Sequence, residues 1–297
     1  MLRFNLYFVF NLRKQNKCFR NFDTPLILNP SQELVTELPP KKIWIYWQGN
    51  ECNLVQTCVE KIKLFNPKFE LYFLNQDSIK KYSQIDYDNY SQLTPQLKSD
   101  LIRLDLLTTY GGYWLDASIL TFENLDWIQE LITNHKTNSF GYYRRKNTII
   151  PSYPVIETWL LATPPNQDFF KAWKNELIHV IERTPKAYIK HLKESLLDAQ
   201  DYFQKIGRLE YLCAYVAAQR VMRNHLPSMT LINCDQNAFL LQTQFQWDKY
   251  KVLHALAIDK KPETMPKLIK LVGKERNLIN KYYIKKRFKE DSLLDEL

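Results

Sequence analysis

The sequence predicts an α/β fold in which helices flank a mostly parallel sheet, and two observations support this. Strand-like and helix-like segments alternate from about residue 41 onward, which is the order that a parallel sheet requires. The strand-like segments are almost wholly apolar, as expected for strands covered by helices. The 297 residues suffice for one large domain with a full hydrophobic core.

The first elements of the domain are predicted just after Lys41. KKIWIYWQG has the aromatic and β-branched content of a buried strand that ends in a glycine turn. A helix is expected from about Leu54 to Phe65, where an Asn-Pro pair stops it. FELYFLN is the second strand, so these elements form a β-α-β unit.

The next helix is expected to begin at Thr94-Pro95, because threonine caps a helix and proline fits its first turn. Four leucines then form one apolar stripe: Leu97, Leu101, Leu104 and Leu107. Gly111-Gly112 ends the helix. The segment YWLDASILT is expected to be a single strand, with one face formed by Trp114, Asp116, Ser118 and Leu120.

Beyond Pro164-Pro165 the sequence is mostly helical, with segments expected at 168–182, from 184 onward, and at about 208–225. We find no internal repeat, so residues 41–297 are expected to form a single domain that includes this helical region, about 164–225. Residues 1–40 are basic and then proline-punctuated, which is typical of a leader and linker.

The net charge of +9 is concentrated near the C-terminus. Residues 259–289 carry eleven Lys and Arg against three Asp and Glu, and we call this segment the basic tail. The tail is either a solvated helix face or a surface that binds an anionic membrane or a phosphorylated ligand. No nucleic-acid motif accompanies it, so nucleic acid is not expected as a partner.

The N-terminal apolar run, MLRFNLYFVFNL, is too short to cross a bilayer and lacks a secretory cleavage site. The five cysteines include no Cys-x-x-Cys pair, which argues against a disulfide framework or a zinc site. The protein is therefore expected in the cytoplasm. Peripheral contact with the inner face of the membrane is a further expectation.

Three charged residues lie close together in the sequence and suggest chemistry. Asp100 and Arg103 are three apart on the predicted helix and therefore neighbours. Asp116 falls within an apolar segment, where a buried carboxylate needs a partner. One interpretation is a simple surface ion pair between Asp100 and Arg103. The other is a site for a polyhydroxyl ligand, since carboxylates accept hydrogen bonds from sugar hydroxyls and a guanidinium donates them.

The spacing S-D-x-x-R, about seven residues, G-G, three residues and D-A-S resembles the capsular polysaccharide synthesis proteins. These are related to mannosyltransferase-like enzymes with a D-x-D region and, more distantly, to the clostridial glucosylating toxins. The strand IWIYWQG, the helix VQTCVEKIKLFNP and the strand FELYFLN follow in the same order as in that family. The resemblance implies a GT-A fold with a Rossmann-like sheet.

The resemblance also implies residue roles. Asp100 and Arg103 would hold hydroxyls of the donor sugar, and Asp116 would contact the sugar or ribose and the metal region; these three are the expected catalytic residues. Trp47 would stack on the nucleobase, although a Trp at a strand end is as often packed core. The expected donor-binding set is Trp47, Asp100, Arg103, Gly111, Gly112, Asp116 and Ser118, in which the glycines would let the backbone approach the ligand.

Ser118 departs from the full D-x-D pattern, whose two carboxylates hold Mn²⁺ or Mg²⁺ against the diphosphate. A hydroxyl is a poorer ligand, so two alternatives stay open. Asp116 holds the metal together with diphosphate oxygens and water, or no metal is held. In the second case protein cations must neutralise the diphosphate. The candidates are Arg144, Arg145 and Lys146 in one segment, and Lys274 and Arg276 in the basic tail.

The expected function is that of a hexosyltransferase that uses a UDP- or GDP-linked sugar. Its acceptor would be a glycan or lipid-linked glycan of the capsule or lipopolysaccharide type. The helical region at about 164–225 would shape the acceptor side of the site. Transfer with retention is implied by the resemblance alone. Two alternatives are a catalytically silent relative that binds nucleotide or glycan, and a basic protein that binds membrane or nucleic acid.

Overall fold

The computed structural model describes residues 2–10, 12–17 and 24–297. The strands are β1 (Leu26–Leu28), β2 (Lys42–Tyr46), β3 (Glu70–Leu74), β4 (Gly112–Leu115), β5 (Ile119–Thr121), β6 (Ser139–Tyr143), β7 (Ile156–Thr163), β8 (Met229–Asn233) and β9 (Leu268–Lys270). The α-helices are α1 (Leu2–Phe10), α2 (Asn53–Phe65), α3 (Pro95–Tyr110), α4 (Asp126–Asn134), α5 (Asp168–Arg183), α6 (Pro185–Ser195), α7 (Ala199–Phe203), α8 (Cys213–Met222), α9 (Leu240–Gln244), α10 (Lys249–Ala257) and α11 (Gly273–Tyr283). Positions 1, 11 and 18–23 of the predicted leader, Cys18 among them, lie outside the described residues.

The main sheet has the strand order β1-β8-β6-β7-β4-β2-β3. Strand β2 is parallel to β3 and β4, and β6 is parallel to β8. Strand β7 is antiparallel to both β4 and β6, and β1 is antiparallel to β8. Five of its seven strands therefore run the same way, which confirms the predicted α/β class with a mostly parallel sheet.

Apolar cores cover both faces of the sheet, as the apolar strands predict. In β2, Trp44 packs in the core on the side of α3, α5 and α8, whereas Ile43 and Ile45 pack in the core that includes α2 and α4. A third core joins α2 to α10 and α11. The helix predicted from Thr94-Pro95 is also present, and the Thr94 side chain accepts a hydrogen bond from the backbone N–H of Leu97.

The expectation that YWLDASILT is a single strand is wrong. Strand β4 ends at Leu115, and a turn at residues 116–118 leads into β5, which pairs with β9 in a separate two-stranded sheet. The backbone N–H of Ile119 donates to the carbonyl of Asp116 across this turn. Period-two alternation is therefore broken at Asp116, and the expected common face does not form.

Gly111 and Gly112 form the junction between α3 and β4, with φ angles of +63° and +100°. A Cβ atom on Gly111 would lie 2.6 Å from the backbone nitrogen of Pro165, and one on Gly112 would lie 2.6 Å from the carbonyl oxygen of Lys42. Only glycine tolerates both this backbone conformation and this close packing. The junction fixes the angle at which α3 meets the sheet.

Parts of the predicted leader and of the basic tail belong to the folded body. Strand β1 is an edge strand of the main sheet, although its residues were predicted to lie in the linker. The ring of Phe4 in α1 packs 4.5 Å from that of Tyr282 in α11, centroid to centroid. The basic tail supplies both β9 and α11. No helix within the described ranges is long and apolar enough to cross a membrane.

Candidate active site

A cavity of about 660 Å³ opens at the edge of the main sheet where β2 and β4 end. Its walls come from the residues that follow these two strands, from the start of β7, from the first half of α3 and from the segment 270–276. In α/β sheets, ligands bind beyond the carboxyl ends of parallel strands. The cavity therefore lies where this fold class places its ligands.

Asp100, Arg103 and Asp116 form one network in the cavity wall, in which Asp100 and Arg103 are buried and Asp116 is partly exposed. The Arg103 Nη1 donates to Asp100 Oδ1, and its Nη2 donates to Asp116 Oδ1 at 3.1 Å. The Arg103 and Asp100 side chains are only 4% exposed, so the interpretation as a surface ion pair is wrong. The guanidinium also lies 4.7 Å from the ring of Trp114. Helix α3 and the end of β4 thus bring all three predicted residues together.

Lys270 is a fourth member of this network that the sequence did not indicate. Its Nζ lies 2.8 Å from Asp116 Oδ2 and 2.8 Å from Ser118 Oγ. The Ser118 hydroxyl donates to the carbonyl of Leu271 at 3.1 Å, which ties the turn after β4 to the residue that follows β9. The charge of Asp116 is therefore shared between two cations, Arg103 and Lys270.

The two aspartates of the network have opposite pKa shifts. Burial raises the pKa of Asp100, and this outweighs the opposing effect of Arg103. Burial would also raise the pKa of Asp116, but Lys270 and Arg103 together outweigh it and lower this pKa to about 2. Asp116 is therefore charged at neutral pH, and it fixes the positions of both cations.

Glu157 is a third acidic residue of the cavity, and the sequence did not indicate it. It lies in β7, is 5% exposed, and its Oε2 accepts a hydrogen bond of 2.8 Å from the hydroxyl of Tyr215. Burial raises its pKa to about 6, although Tyr215 and Arg144 oppose the shift. A carboxyl with such a pKa exchanges protons near neutral pH. The only sequence signal was a Glu within the apolar run VIETWLLAT.

Trp47 lies where β2 meets the cavity, and Arg276 of α11 covers its ring. The Arg276 guanidinium is 4.7 Å from the ring centroid, and the indole N–H donates to the carbonyl of Asn50 at 3.2 Å. Both side chains line the cavity. An aromatic ring and a guanidinium placed together form a surface on which a planar base and a phosphate can be held.

The other predicted binding residues lie away from the cavity. Arg144 is paired with Asp235 at 2.9 Å and packs on the ring of Trp247. Arg145 and Lys274 are exposed outside the cavity lining. Gly111 and Gly112 lie at the opposite end of β4 from Asp116, where they contact protein backbone. Of the basic candidates, the structure brings only Arg276 to the cavity.

The residues near Ser118 do not form an ordinary site for a divalent cation. Asp116 Oδ1 accepts from Arg103 and Trp114, and Oδ2 accepts from Lys270. Mg²⁺ and Mn²⁺ prefer several oxygen ligands, usually including carboxylates. Among residues 2–10, 12–17 and 24–297, no group of three or more His, Cys, Asp and Glu side chains could hold a metal ion.

An α/β fold with a charged cavity at its strand ends is the arrangement of a ligand-binding protein. The model of the capsular polysaccharide synthesis protein family matches residues 15–286, and the chain belongs to this family. The resemblance inferred from the sequence is thereby confirmed.

Among curated proteins, the chain is similar to the O-glycosyltransferase braB of Annulohypoxylon truncatum. The two are 22% identical over 153 residues, which cover 45% of this chain and 36% of that protein. The chain therefore spans about a third of the length of this relative.

Among solved structures, the chain is similar to the PaToxG glycosyltransferase, with 13% identity, a TM-score of 0.38 and coverage of 96% and 92% of the two chains. It is also similar to apo GlyE of Streptococcus pneumoniae TIGR4, with 11% identity, a TM-score of 0.42 and coverage of 86% and 65%. A third similarity is to the galactosyltransferase LgtC in complex with donor and acceptor sugar analogs, with 11% identity, a TM-score of 0.30 and coverage of 65% and 87%. With TM-scores below 0.5, these similarities are too weak to carry a functional conclusion.

Proposed function

We propose that this protein is a nucleotide-sugar-dependent glycosyltransferase of the hexosyltransferase type. Its acceptor is a cell-surface glycan, free or lipid-linked, of the capsule or lipopolysaccharide type. The observation that carries the proposal is the network of Asp100, Arg103 and Asp116 in the wall of a 660 Å³ cavity. Membership of the capsular polysaccharide synthesis family supports it.

The proposed donor is a UDP- or GDP-linked sugar that spans the cavity. Its base lies against Trp47, its diphosphate faces Arg276, and its sugar hydroxyls bond to Asp100 and Arg103. A cavity of 660 Å³ is within the usual range for sites of small-molecule ligands. Cations placed beside the diphosphate stabilise the charge that develops there as the nucleotide leaves.

The proposed reaction retains the configuration at the anomeric carbon. The bond from this carbon to the phosphate oxygen breaks, and its electron pair passes to the diphosphate. The acceptor hydroxyl oxygen bonds to the same face of the carbon and gives its proton to the diphosphate oxygen. Tyr211, Leu212 and Tyr215 line the cavity from the helical region, which supports an acceptor-side role for that region.

Nucleotide sugars are expected to raise the melting temperature of the purified chain, because a ligand that binds only the folded state stabilises it. A panel of UDP- and GDP-sugars should contain at least one that does so. Arg276→Ala should lose most of the shift, since Arg276 lines the cavity. Lys274→Ala, two positions away on an exposed part of the same helix, should keep it. The absence of any shift in the wild type, or an equal loss in both variants, would contradict the proposed donor site.

The second candidate is a catalytically silent relative that binds nucleotide or glycan. The observation that favours it is Ser118, which takes the place of the second carboxylate and bonds to Lys270 and to the carbonyl of Leu271. Such a protein would show the thermal shift but would release no nucleoside diphosphate from the donor.

We further propose that the enzyme works at the cytoplasmic face of an anionic membrane. Leu6 and Val9 of α1 are 47% and 69% exposed, and they lie three apart on one face of the helix. The Lys289 Nζ lies 4.5 Å from the ring of Phe8 in the same helix. The neighbouring exposed basic residues are Lys285, Lys286 and Arg287. Apolar side chains beside a basic cluster suit an anionic lipid surface.

Binding to phosphatidylserine vesicles should exceed binding to phosphatidylcholine vesicles and should fade as salt is added, because salt screens surface charge. The double variant Lys285→Glu/Lys286→Glu should bind phosphatidylserine vesicles several-fold more weakly than the wild type. Equal binding to both kinds of vesicle, unaffected by salt, would rule out this contact. Vesicle co-sedimentation measures it.

A further inference from the structure

We infer that Lys270 occupies the position of the divalent metal, so that protein cations alone hold the donor diphosphate. This inference rests on the proposed function, because it concerns the diphosphate of the proposed donor. It begins from the Lys270 Nζ, which contacts both Asp116 and Ser118 at 2.8 Å. These two residues stand at the first and third positions of the D-x-D-like motif.

The backbone around Lys270 fixes this side chain in place. Strand β9 pairs Lys270 with Ile119 of β5, just after the turn that carries Asp116 and Ser118. The backbone N–H of Lys270 donates to the carbonyl of Ala238 at 3.1 Å, and its carbonyl accepts from Gln242 at 2.8 Å. The residue is 7% exposed. Its ammonium is thus held at the motif by the fold itself.

The hydrogen bonds of Lys270 leave room for a ligand. An ammonium group has three N–H donors, and the contacts with described residues direct two of them at Asp116 and Ser118. Lys270 lines the cavity, together with Arg276. The third N–H is available to a phosphate oxygen, and Arg276 supplies a second cation in the same cavity. Two cationic side chains of the protein can therefore donate hydrogen bonds to a diphosphate.

A divalent cation would fit poorly in the same place. Both carboxylate oxygens of Asp116 already accept hydrogen bonds from charged or polar donors, and Ser118 supplies only a neutral hydroxyl. The ion would also lie beside the ammonium of Lys270, and like charges at such close range repel each other. The formal charges of Asp100, Asp116, Arg103 and Lys270 already cancel, so the network does not require an added cation.

Calorimetric titration of the full chain with UDP and with GDP tests this inference directly. In the wild type, the Kd of the nucleotide that binds should be the same, within about twofold, in excess EDTA and in excess MnCl₂. Lys270→Met should raise that Kd about 10- to 100-fold in EDTA, because it removes a charge-assisted hydrogen bond and keeps the aliphatic stem. Lys267→Met is the matched control. Lys267 pairs with Glu123 just before β9, outside the cavity lining, so this variant should bind like the wild type.

A double variant provides a gain-of-function test. Ser118→Asp/Lys270→Met removes the ammonium and restores the second carboxylate. Its affinity for the nucleoside diphosphate should depend on Mn²⁺, rising at least about tenfold over the value in EDTA. Thermal melting of each variant confirms that it is folded, and the wild-type comparison of EDTA with MnCl₂ needs no variant.

The outcomes separate the two proposals. A wild-type Kd that rises tenfold or more in EDTA and recovers with Mn²⁺ would overturn the role of Lys270 and leave the proposed function standing. An unchanged affinity in folded Lys270→Met would also overturn it. If neither UDP nor GDP binds under any of these conditions, the proposed function itself fails, and this inference fails with it.

Discussion

Asp116→Asn is expected to lower kcat/KM for sugar transfer by about 100- to 1000-fold, the usual cost of removing one pre-positioned electrostatic group. The carboxylate of Asp116 is the common partner of Arg103 and Lys270, with contacts of 3.1 and 2.8 Å. Asparagine is similar in shape but carries no charge, so both cations lose the group that orients them. Steady-state kinetics with the donor identified by thermal shift measure this effect.

The same variant should change the dependence of stability on pH. The pKa of Asp116 is lowered from 3.8 to about 2 in the folded protein, so its charged form stabilises the fold. This stabilisation, about 2 kcal/mol, is fully present above about pH 5 and is lost as the pH falls through 2. The wild type should therefore exceed Asp116→Asn in free energy of unfolding at pH 7, and the difference should disappear at low pH.

Asp126→Asn is the matched control for this experiment. Asp126 pairs with Lys41 at 2.8 Å in an ion pair whose side chains are more than a third exposed, outside the cavity. Its kinetics should equal those of the wild type. If Asp116→Asn keeps more than about a tenth of the wild-type kcat/KM, the catalytic role of Asp116 is refuted.

Arg103→Met is expected to lose about 3–5 kcal/mol of unfolding free energy, the cost of breaking a buried ion pair by removing one partner. Arg103 is the partner of both Asp100 and Asp116, and its side chain is only 4% exposed. Its removal leaves Asp100 without its cation in a buried position. Urea denaturation at neutral pH measures the loss.

Lys41→Met provides the comparison, because it breaks the partly exposed pair with Asp126 and should cost about 1 kcal/mol or less. The double variant Asp100→Asn/Arg103→Met should recover part of the loss, since the neutral amide no longer requires a counter-ion. A loss of less than 1 kcal/mol in Arg103→Met would mean that water solvates this network, contrary to its burial in the structure.

Local sequence patterns predicted much of the fold. The strands β2 and β3, the helices α2 and α3 and the glycine junction after α3 were expected from caps, apolar spacing and turn residues. Asp100, Arg103 and Asp116 lie within 17 positions of one another, so a short motif captured the centre of the network. The three-residue strand β1 is too short to leave a recognisable pattern, so its residues resemble linker in the sequence.

The remaining site residues depend on contacts that no local pattern reports. Lys270 meets Asp116 across 154 positions, and that contact exists only because β9 returns to β5. Charge alone makes Arg144 a diphosphate candidate, but charge does not reveal that Asp235, 91 positions away, is its partner. Similarly, alternation along YWLDASILT could not indicate that the chain turns at Asp116 and enters another sheet.

Release of nucleoside diphosphate by the purified wild-type chain, measured across a panel of UDP- and GDP-sugars, tests the central claim most directly. A glycosyltransferase should release the nucleoside diphosphate from at least one donor. The release should be slow when water is the acceptor and faster when a glycan acceptor is present, and the sugar should then appear on that glycan. If donors bind but none is ever cleaved, with or without acceptor, the protein is a silent binding relative and the claim of sugar transfer is contradicted.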